Sequence, residues 1–392
     1  MDLYEFDKFI AKSFKPATDH HALKRTGVSI LPLHYGHPPE FLYKRMVRLG
    51  GILSELILEK YGTRDYLERL ADPFWFHSLS LAIGFDWNSS GTTTTTMYAL
   101  KDYFSQKDAD LKIVGGKGKV MSETGNELDS LEKMGFLSNR NAEFVRKKAR
   151  TIARVDNNLL QDGYDLYLQF IAIDSHNEFS LIQQGICSES RNARRYHWTD
   201  TDADPIDDAR NGIADLDILP RVRDLSTIRS RKHRSAILDL AKDKIDQDSF
   251  VMGKQKTLYS SGNEKILNLD IGVNWSKLRE IYEYQPGDFH ELFELKGVGK
   301  TTIRALSYLA EIVYGEEPSF KDPIKYSFTL GGKDGIPKPV NYPDYDRCIE
   351  FYQEVLGSSV SGNHDLEIIA RNLARASFIL SSHGHDKKNY PK

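Results

Sequence analysis

Apolar residues recur at three- and four-residue steps through Phe41, Leu42, Met46, Leu49, Leu53, Leu56 and Ile57, which predicts a helix over 39–60. A second helix is expected over 64–70, ending before Asp72-Pro73, because the residue ahead of a proline is pushed out of the helical region. Helices are also expected over 92–104 and, with many basic residues, over 137–155. The period then changes. Residues 166–173 and 179–182 are β-branched and aromatic runs separated by Asp174-Ser175-His176-Asn177, the pattern of a hairpin. Residues 111–120 open as a short strand and run into Gly115-Gly116-Lys117-Gly118-Lys119.

Beyond 273 the pattern is helical again. Asp288 stands where a helix cap is needed, with Glu291 three places on. A short helix through Leu292 and Leu295 is followed by a turn at Gly297-Val298-Gly299. Ile303, Leu306, Leu309, Ala310 and Val313 then mark one apolar helical face, with Gly315 placed to end it. Further helices are expected over 344–356 and 365–380. The expected fold is α+β and mostly helical. An extension over 1–22 precedes an α+β domain over 23–235 with a small antiparallel sheet. A helix and linker over 236–273, an all-α domain over 274–380 and a tail over 381–392 follow.

Composition narrows the function classes. Hydrophobic content of 40% and charged content of 28% in 392 residues describe a globular chain with a sizeable core. The net charge of −3 means that any attraction to nucleic acid must come from local patches. Cys187 and Cys348 are the only cysteines, which fits a reducing cytosol and excludes a cysteine-based zinc module. No apolar run reaches the about 18 residues of a membrane span, and the N-terminus lacks a signal-peptide pattern, so a cytoplasmic protein is expected. No cofactor is expected, since neither a P-loop nor a Gly-x-Gly-x-x-Gly fingerprint occurs. Oligomeric state is not legible.

Several strings carry candidate chemistry. Glycines around Lys117 and Lys119 allow close approach and project two amines; the alternative is a solvated hairpin tip. Asp156, Asp162 and Asp165 lie at the start of the hairpin, either as a site or as a capping network. Residues 191–198, RNARRYHW, interleave Arg194 and Arg195 with Tyr196, His197 and Trp198, as a nucleic-acid surface does. Basic stretches over 140–154 and 221–234 flank this region, and 199–217 reads as an exposed acidic loop. The active site is expected where Lys117, Asp162 and His197 converge, with His34 a further acid/base candidate.

The segment over 289–314 resembles a helix-hairpin-helix, the DNA-binding module of many repair enzymes. The resemblance implies that Gly297, Val298, Gly299, Lys300, Thr301 and Thr302 hold a phosphate at the second helix's N-terminus. In bifunctional base-excision glycosylases a lysine stands where this chain has Thr301, with Lys300 one place early. An aspartate follows, for which Asp322 has a matching distance but a different context. The strings RTGVSILPLHYG, LADPFWFHSLSLAIGFDWNSSGTTTTTM, GGKGK, ARVDNNLLQDGYDLY, IQQGI with RNARRYHW, GVGKTTIRAL and YSFTLGGKDG together resemble one uncharacterised archaeal and bacterial family, domain of unknown function 763. Three functions are open on these residues. The first is a repair enzyme acting on abasic DNA through a lysine Schiff base. The second is a metal-dependent nuclease using the aspartates. The third is a DNA-binding protein without catalysis, and for all three the expected partner is DNA and not a membrane.

Overall fold

A computed structural model describes residues 38–85, 89–201, 203–215, 219–243 and 274–323. Helix α1 (Glu40–Leu70) is interrupted at Gly62, whose φ of 84° breaks the helix between the two expected from periodicity. Helix α2 (Pro73–Ala82) starts with proline in its first turn and the Asp72 carboxylate accepting from the amides of Phe74 and Trp75. Helix α3 (Ser90–Ser105) opens with a reciprocal capping pair between Ser89 and Thr92. After β1 (Lys112–Lys117) come α4 (Lys119–Ser122), α5 (Thr124–Lys133) and α6 (Asn139–Arg154).

A π-helical turn, Val155–Leu159, ends α6 and turns Asp156 into the interior. The strands β2 (Leu160–Gln161), β3 (Asp165–Ile173), β4 (Phe179–Cys187), β5 (Asn192–Thr199), β6 (Gly212–Ala214) and β7 (Arg223–Asp224) follow. The chain then forms α7 (Arg231–Lys242), α8 (Trp275–Tyr284), α9 (Phe289–Glu294) and α10 (Lys300–Tyr314). Five strands pair in the order β1-β3-β4-β5-β6, all antiparallel, while β2 pairs β7 separately. The fold is therefore mostly helical with a small antiparallel sheet.

Side-chain alternation gives that sheet two different faces. Ile113, Leu168, Phe170, Ala172 and Ile182 share a core with α1, α2 and α3. Val114, Ile171, Ile173, Leu181, Tyr196, Trp198 and Ile213 share the other core with α5, α6, α7 and the helices after residue 274. A sheet covered on both sides explains why its strands read as near-continuous apolar runs.

Three expectations are corrected. The region 199–217 is not an exposed acidic loop: Ile206, Arg210, Ile213 and Asp215 are buried there, and β6 joins the sheet. The basic stretch 221–234 is only partly outward, because Arg223 donates to Ser307 and Glu311, and Arg234 donates to the carbonyls of Leu225 and Thr227. Glycines 115 and 116 are not a mobile tip but part of β1, paired with Phe170 and Gln169. The expected helices over 344–356 and 365–380, and His34, lie outside the described residues.

Gly115 has a φ of 103°, and a Cβ there would stand 2.2 Å from the Gln169 carbonyl oxygen. Gly115→Ala is therefore expected to cost at least about 2 kcal/mol, since backbone rather than a side chain is in the way. Gly125→Ala is the control, because its Cβ would meet only the Arg146 side chain, at 3.7 Å. Chemical denaturation of both variants checks this; equal midpoints would remove the steric account of β1.

Candidate functional site

Strand β5 organises the polar interior. Its central residues are all buried, and they alternate: Arg194, Tyr196 and Trp198 face the second core, Arg195 and His197 the first. The interleaving of basic and aromatic residues is thus a strand with two chemically distinct buried faces.

On the second face the Arg194 guanidinium has no exposure and meets three carboxylates. Its Nε donates to Asp215 at 2.6 Å, Nη1 to Asp162 and Asp322 at 3.2 Å each, and Nη2 to Asp322 at 3.0 Å. The guanidinium also lies 4.9 Å from the centre of the Tyr164 ring. The Tyr196 hydroxyl donates to Asp162 at 2.8 Å. Burial pushes the Asp162 carboxyl up, against the pull of Arg194. Burial likewise opposes the charge of Arg194, but the attraction of Asp162, Asp215 and Asp322 outweighs it and holds the group well above its ordinary range. Deeper on this face, Asp156 binds Arg210 at 2.6 Å and accepts from the Trp198 indole at 2.7 Å. Burial pushes the Asp156 carboxyl up to about 6 in spite of Arg210.

The first face is different. Arg195 Nε donates to His197 Nε2 at 2.7 Å and Nη1 to the Thr93 hydroxyl at 3.1 Å, with the guanidinium 4.4 Å from the centre of the Phe76 ring. Directly across the strand pair, Gln184 donates through Nε2 to the Ser90 carbonyl at 3.0 Å and to the Tyr167 hydroxyl. Thr92, Thr93 and Thr96 are buried, so the threonine run is an interior helix face and not a surface. Burial and the nearby Arg195 charge lower His77 to about 3 and push His197 well below the ordinary imidazole range, so both rings are neutral near pH 7.

The expected convergence of Lys117, Asp162 and His197 does not occur. Asp162 and His197 lie on opposite faces of the sheet, and Lys117 is exposed at the end of β1, its ammonium 5.5 Å from the centre of the Tyr167 ring. Lys119 is exposed at the start of α4. Arg194 and Arg195 are likewise corrected as DNA contacts, since both are buried and directed inward. The three aspartates of the nuclease reading are each committed to a different cation: Asp156 pairs with Arg210, Asp162 with Arg194 and Asp165 with Lys300. Among the described residues, Asp110, Asp174 and His176 alone bring three metal-ligand atoms within 4.8 Å of one another, at the rim of the β3–β4 turn.

At the C-terminal hairpin, α9 ends at Glu294, the chain turns through Gly297 with φ of 84°, and α10 begins at Lys300. Gly297 and Thr301 are exposed, Gly299 and Lys300 half-buried, and Val298 and Thr302 buried as the turn's anchors. Lys300 is drawn inward, donating to the Tyr164 carbonyl and to Asp165, each at 2.9 Å. Asp322 serves Arg194 and the Leu219 amide instead of facing the hairpin. The basic helix α6 reaches this turn: Arg154 Nη1 donates to the carbonyls of Phe293 at 2.7 Å and Leu295 at 3.3 Å, and the Thr151 hydroxyl bonds Glu294.

A model of the family described as proteins of unknown function, DUF763, matches residues 27–340. The chain belongs to this family. No curated protein and no solved structure matches it. The DUF763 match runs from before α1 to beyond Asp322, so both faces of β5 and the hairpin fall within it. Among the described residues no helix is long and apolar enough to cross a membrane.

The residues that sequence reasoning missed are Arg210 and Asp215, together with the pairing role of Asp322. The available signal was Tyr196 and Trp198 at a two-residue step, the period of a strand, which marks one apolar face and does not by itself show that the other is buried. Because Arg194 answers three buried carboxylates, Arg194→Met is expected to cost at least about 3–5 kcal/mol, whereas Asp322→Asn, which keeps the shape and removes one of three negative charges, costs less. Thermal unfolding followed by circular dichroism measures both. A stable Arg194→Met protein would mean that the cluster does not hold the fold.

Proposed function

We propose that the protein binds DNA along the phosphate backbone, using the turn between α9 and α10 together with the outer face of α6. The observation that carries this reading is the junction made by Arg154, which ties the end of a basic helix to the carbonyls that close α9. Arg140, Lys147 and Arg154 are seven residues apart, so they stack along one side of α6, with Arg150 one turn from Arg154. Arg140, Lys147 and Arg150 are exposed. At a rise of about 1.5 Å per residue this stripe is about 21 Å long and leads into the hairpin turn.

At that turn Gly297 is exposed, and a Cβ built on Gly299 would meet nothing within 4 Å, so an incoming phosphate has open backbone to approach. The first amides of α10 have no intrahelical acceptor and carry the positive end of the helix dipole. Lys277 lies against Gly297, its ammonium paired with Glu280 and donating to the Lys296 carbonyl, so the open approach is at Gly299. Contacts of this kind grip the backbone without reading bases. Lysine Schiff-base chemistry is the weaker reading, because Lys117 and Lys119 are exposed, while Asp162 and His197, two of the acid/base partners expected for them, are buried on opposite faces of the sheet.

Fluorescence anisotropy of the full chain on a labelled duplex at several salt concentrations tests the proposal. Lys147→Glu with Arg150→Glu is expected to weaken binding at least about tenfold and to lower the salt slope by about 2. Gly299→Ala, at a φ of −115° that any residue adopts, leaves the fold intact and weakens binding by blocking the phosphate. Gly297→Ala is the poorer probe, since its φ of 84° strains any side chain. Unaltered affinity in both Gly299→Ala and the double variant would defeat the reading.

A further inference from the structure

Arg194 and Arg195 are adjacent in sequence and equally buried, yet among the described residues only Arg194 meets carboxylates. Arg194 holds three carboxylates. Among the described residues Arg195 pairs with none: its hydrogen bonds go to an imidazole and a hydroxyl, and Nη2 donates to no described residue. The neighbouring imidazoles of His77 and His197 contribute no negative charge, and the ring of Phe76 stabilises a cation without cancelling it. A buried charge is retained when something of opposite sign answers it.

Around Arg195 the groups point to what that is. Thr93 lies in the first turn of α3, a 16-residue helix, and its hydroxyl accepts from Arg195, leaving its own hydrogen to donate. The positive end of the helix dipole reinforces the guanidinium. Gln184, fully buried and directly opposite Arg195 in the β4–β5 register, leaves its Oε1 without a hydrogen-bond donor, while its Nε2 is held by Ser90 in the same turn of α3. The site therefore offers donors for an oxyanion and one acceptor for a hydroxyl.

We infer that the first turn of α3, Arg195 and Gln184 form a binding site for a protonated phosphate group, either inorganic phosphate or the terminus of a phosphomonoester. Arg195 and Thr93 hold the unprotonated oxygens, and the P–OH donates to Gln184 Oε1. Fully deprotonated oxyanions such as sulfate leave that acceptor unanswered. The site lies on the sheet face away from the hairpin core and stands or falls independently of DNA binding.

The test is titration of the full chain, freed of phosphate, with inorganic phosphate near pH 7 at constant ionic strength, read by thermal shift and calorimetry. A saturable rise in Tm is expected with phosphate, a smaller one with sulfate and none with chloride. Adenosine 5′-monophosphate serves as a parallel arm: tighter binding than phosphate assigns the group to an ester, and weaker binding assigns it to the free ion. Thr93→Val keeps the side-chain shape and is expected to weaken phosphate binding about tenfold. Arg195→Met is expected to abolish the response; should that variant not fold, Thr93→Val and Gln184→Leu decide. Absence of a saturable response in the unaltered protein, an equal response to sulfate, or undiminished binding in Thr93→Val would each overturn the assignment.

Discussion

The ion cluster around Arg194 is the contact on which the arrangement of the chain depends. A guanidinium with no exposure must be paired, and its partners come from the loop after β2, the segment after β6 and the segment after α10. Asp322 lies 128 residues from Arg194 in sequence, so burying this one side chain requires the sheet and the C-terminal helices to be assembled together. The apolar groups agree: Leu292, Val298, Ile303 and Leu306 share a core with Ile171, Leu181 and Trp198. Well-packed hydrophobic residues often match a buried ion pair in stability, so the cluster's value lies in specificity: three carboxylates accept one orientation of β5 and penalise others.

Much of the charge that looks external in the sequence is used in the same way. Arg210 answers Asp156, Arg223 answers Glu311, and Lys300 answers Asp165. The last two tie β7 and the start of β3 to α10, Arg304 adds β2 by donating to Gln161 at 2.7 Å, and Arg210 ties the segment before β6 to the π-helical turn. With a net charge of −3 and so many cations committed inside, the outward stripe on α6 gains weight. Arg140, Lys147 and Arg150 are exposed because the opposite side of the helix, with Ala142, Val145, Ala149 and Ile152, is buried.

Helices and the central hairpin were legible because their periodicity is local. The break at Gly62, the Ser89 and Asp288 caps and the Gly297 turn all follow from neighbours within four residues. The polar interior was not legible. Residues 191–198 carry the composition of a nucleic-acid surface, and only burial on both sides turns the same alternation into two inward faces. The partners of Arg194 lie 21, 32 and 128 residues away, separations over which no sequence pattern operates. Likewise the threonines after Ser90 look too polar for a core, yet helix back-bonding and cross-strand contacts satisfy them, as with Thr94 to the Ser90 carbonyl and Thr96 to Ser80.

The contrast between the two arginines bears on what kind of molecule this is. A strand that merely needed buried polar contacts would neutralise both, yet among the described residues carboxylates answer Arg194 alone. Burial lowers Arg195 only to about 9, so it remains a cation near pH 7. Neither nearby imidazole takes its proton, because burial and the Arg195 charge hold both far below the ordinary imidazole range. The positive charge on the first face is therefore permanent at neutral pH, and it faces a helix N-terminus that adds to it. Two like-signed sources of potential turned toward one another are unfavourable for an isolated fold and favourable for one that holds an anion.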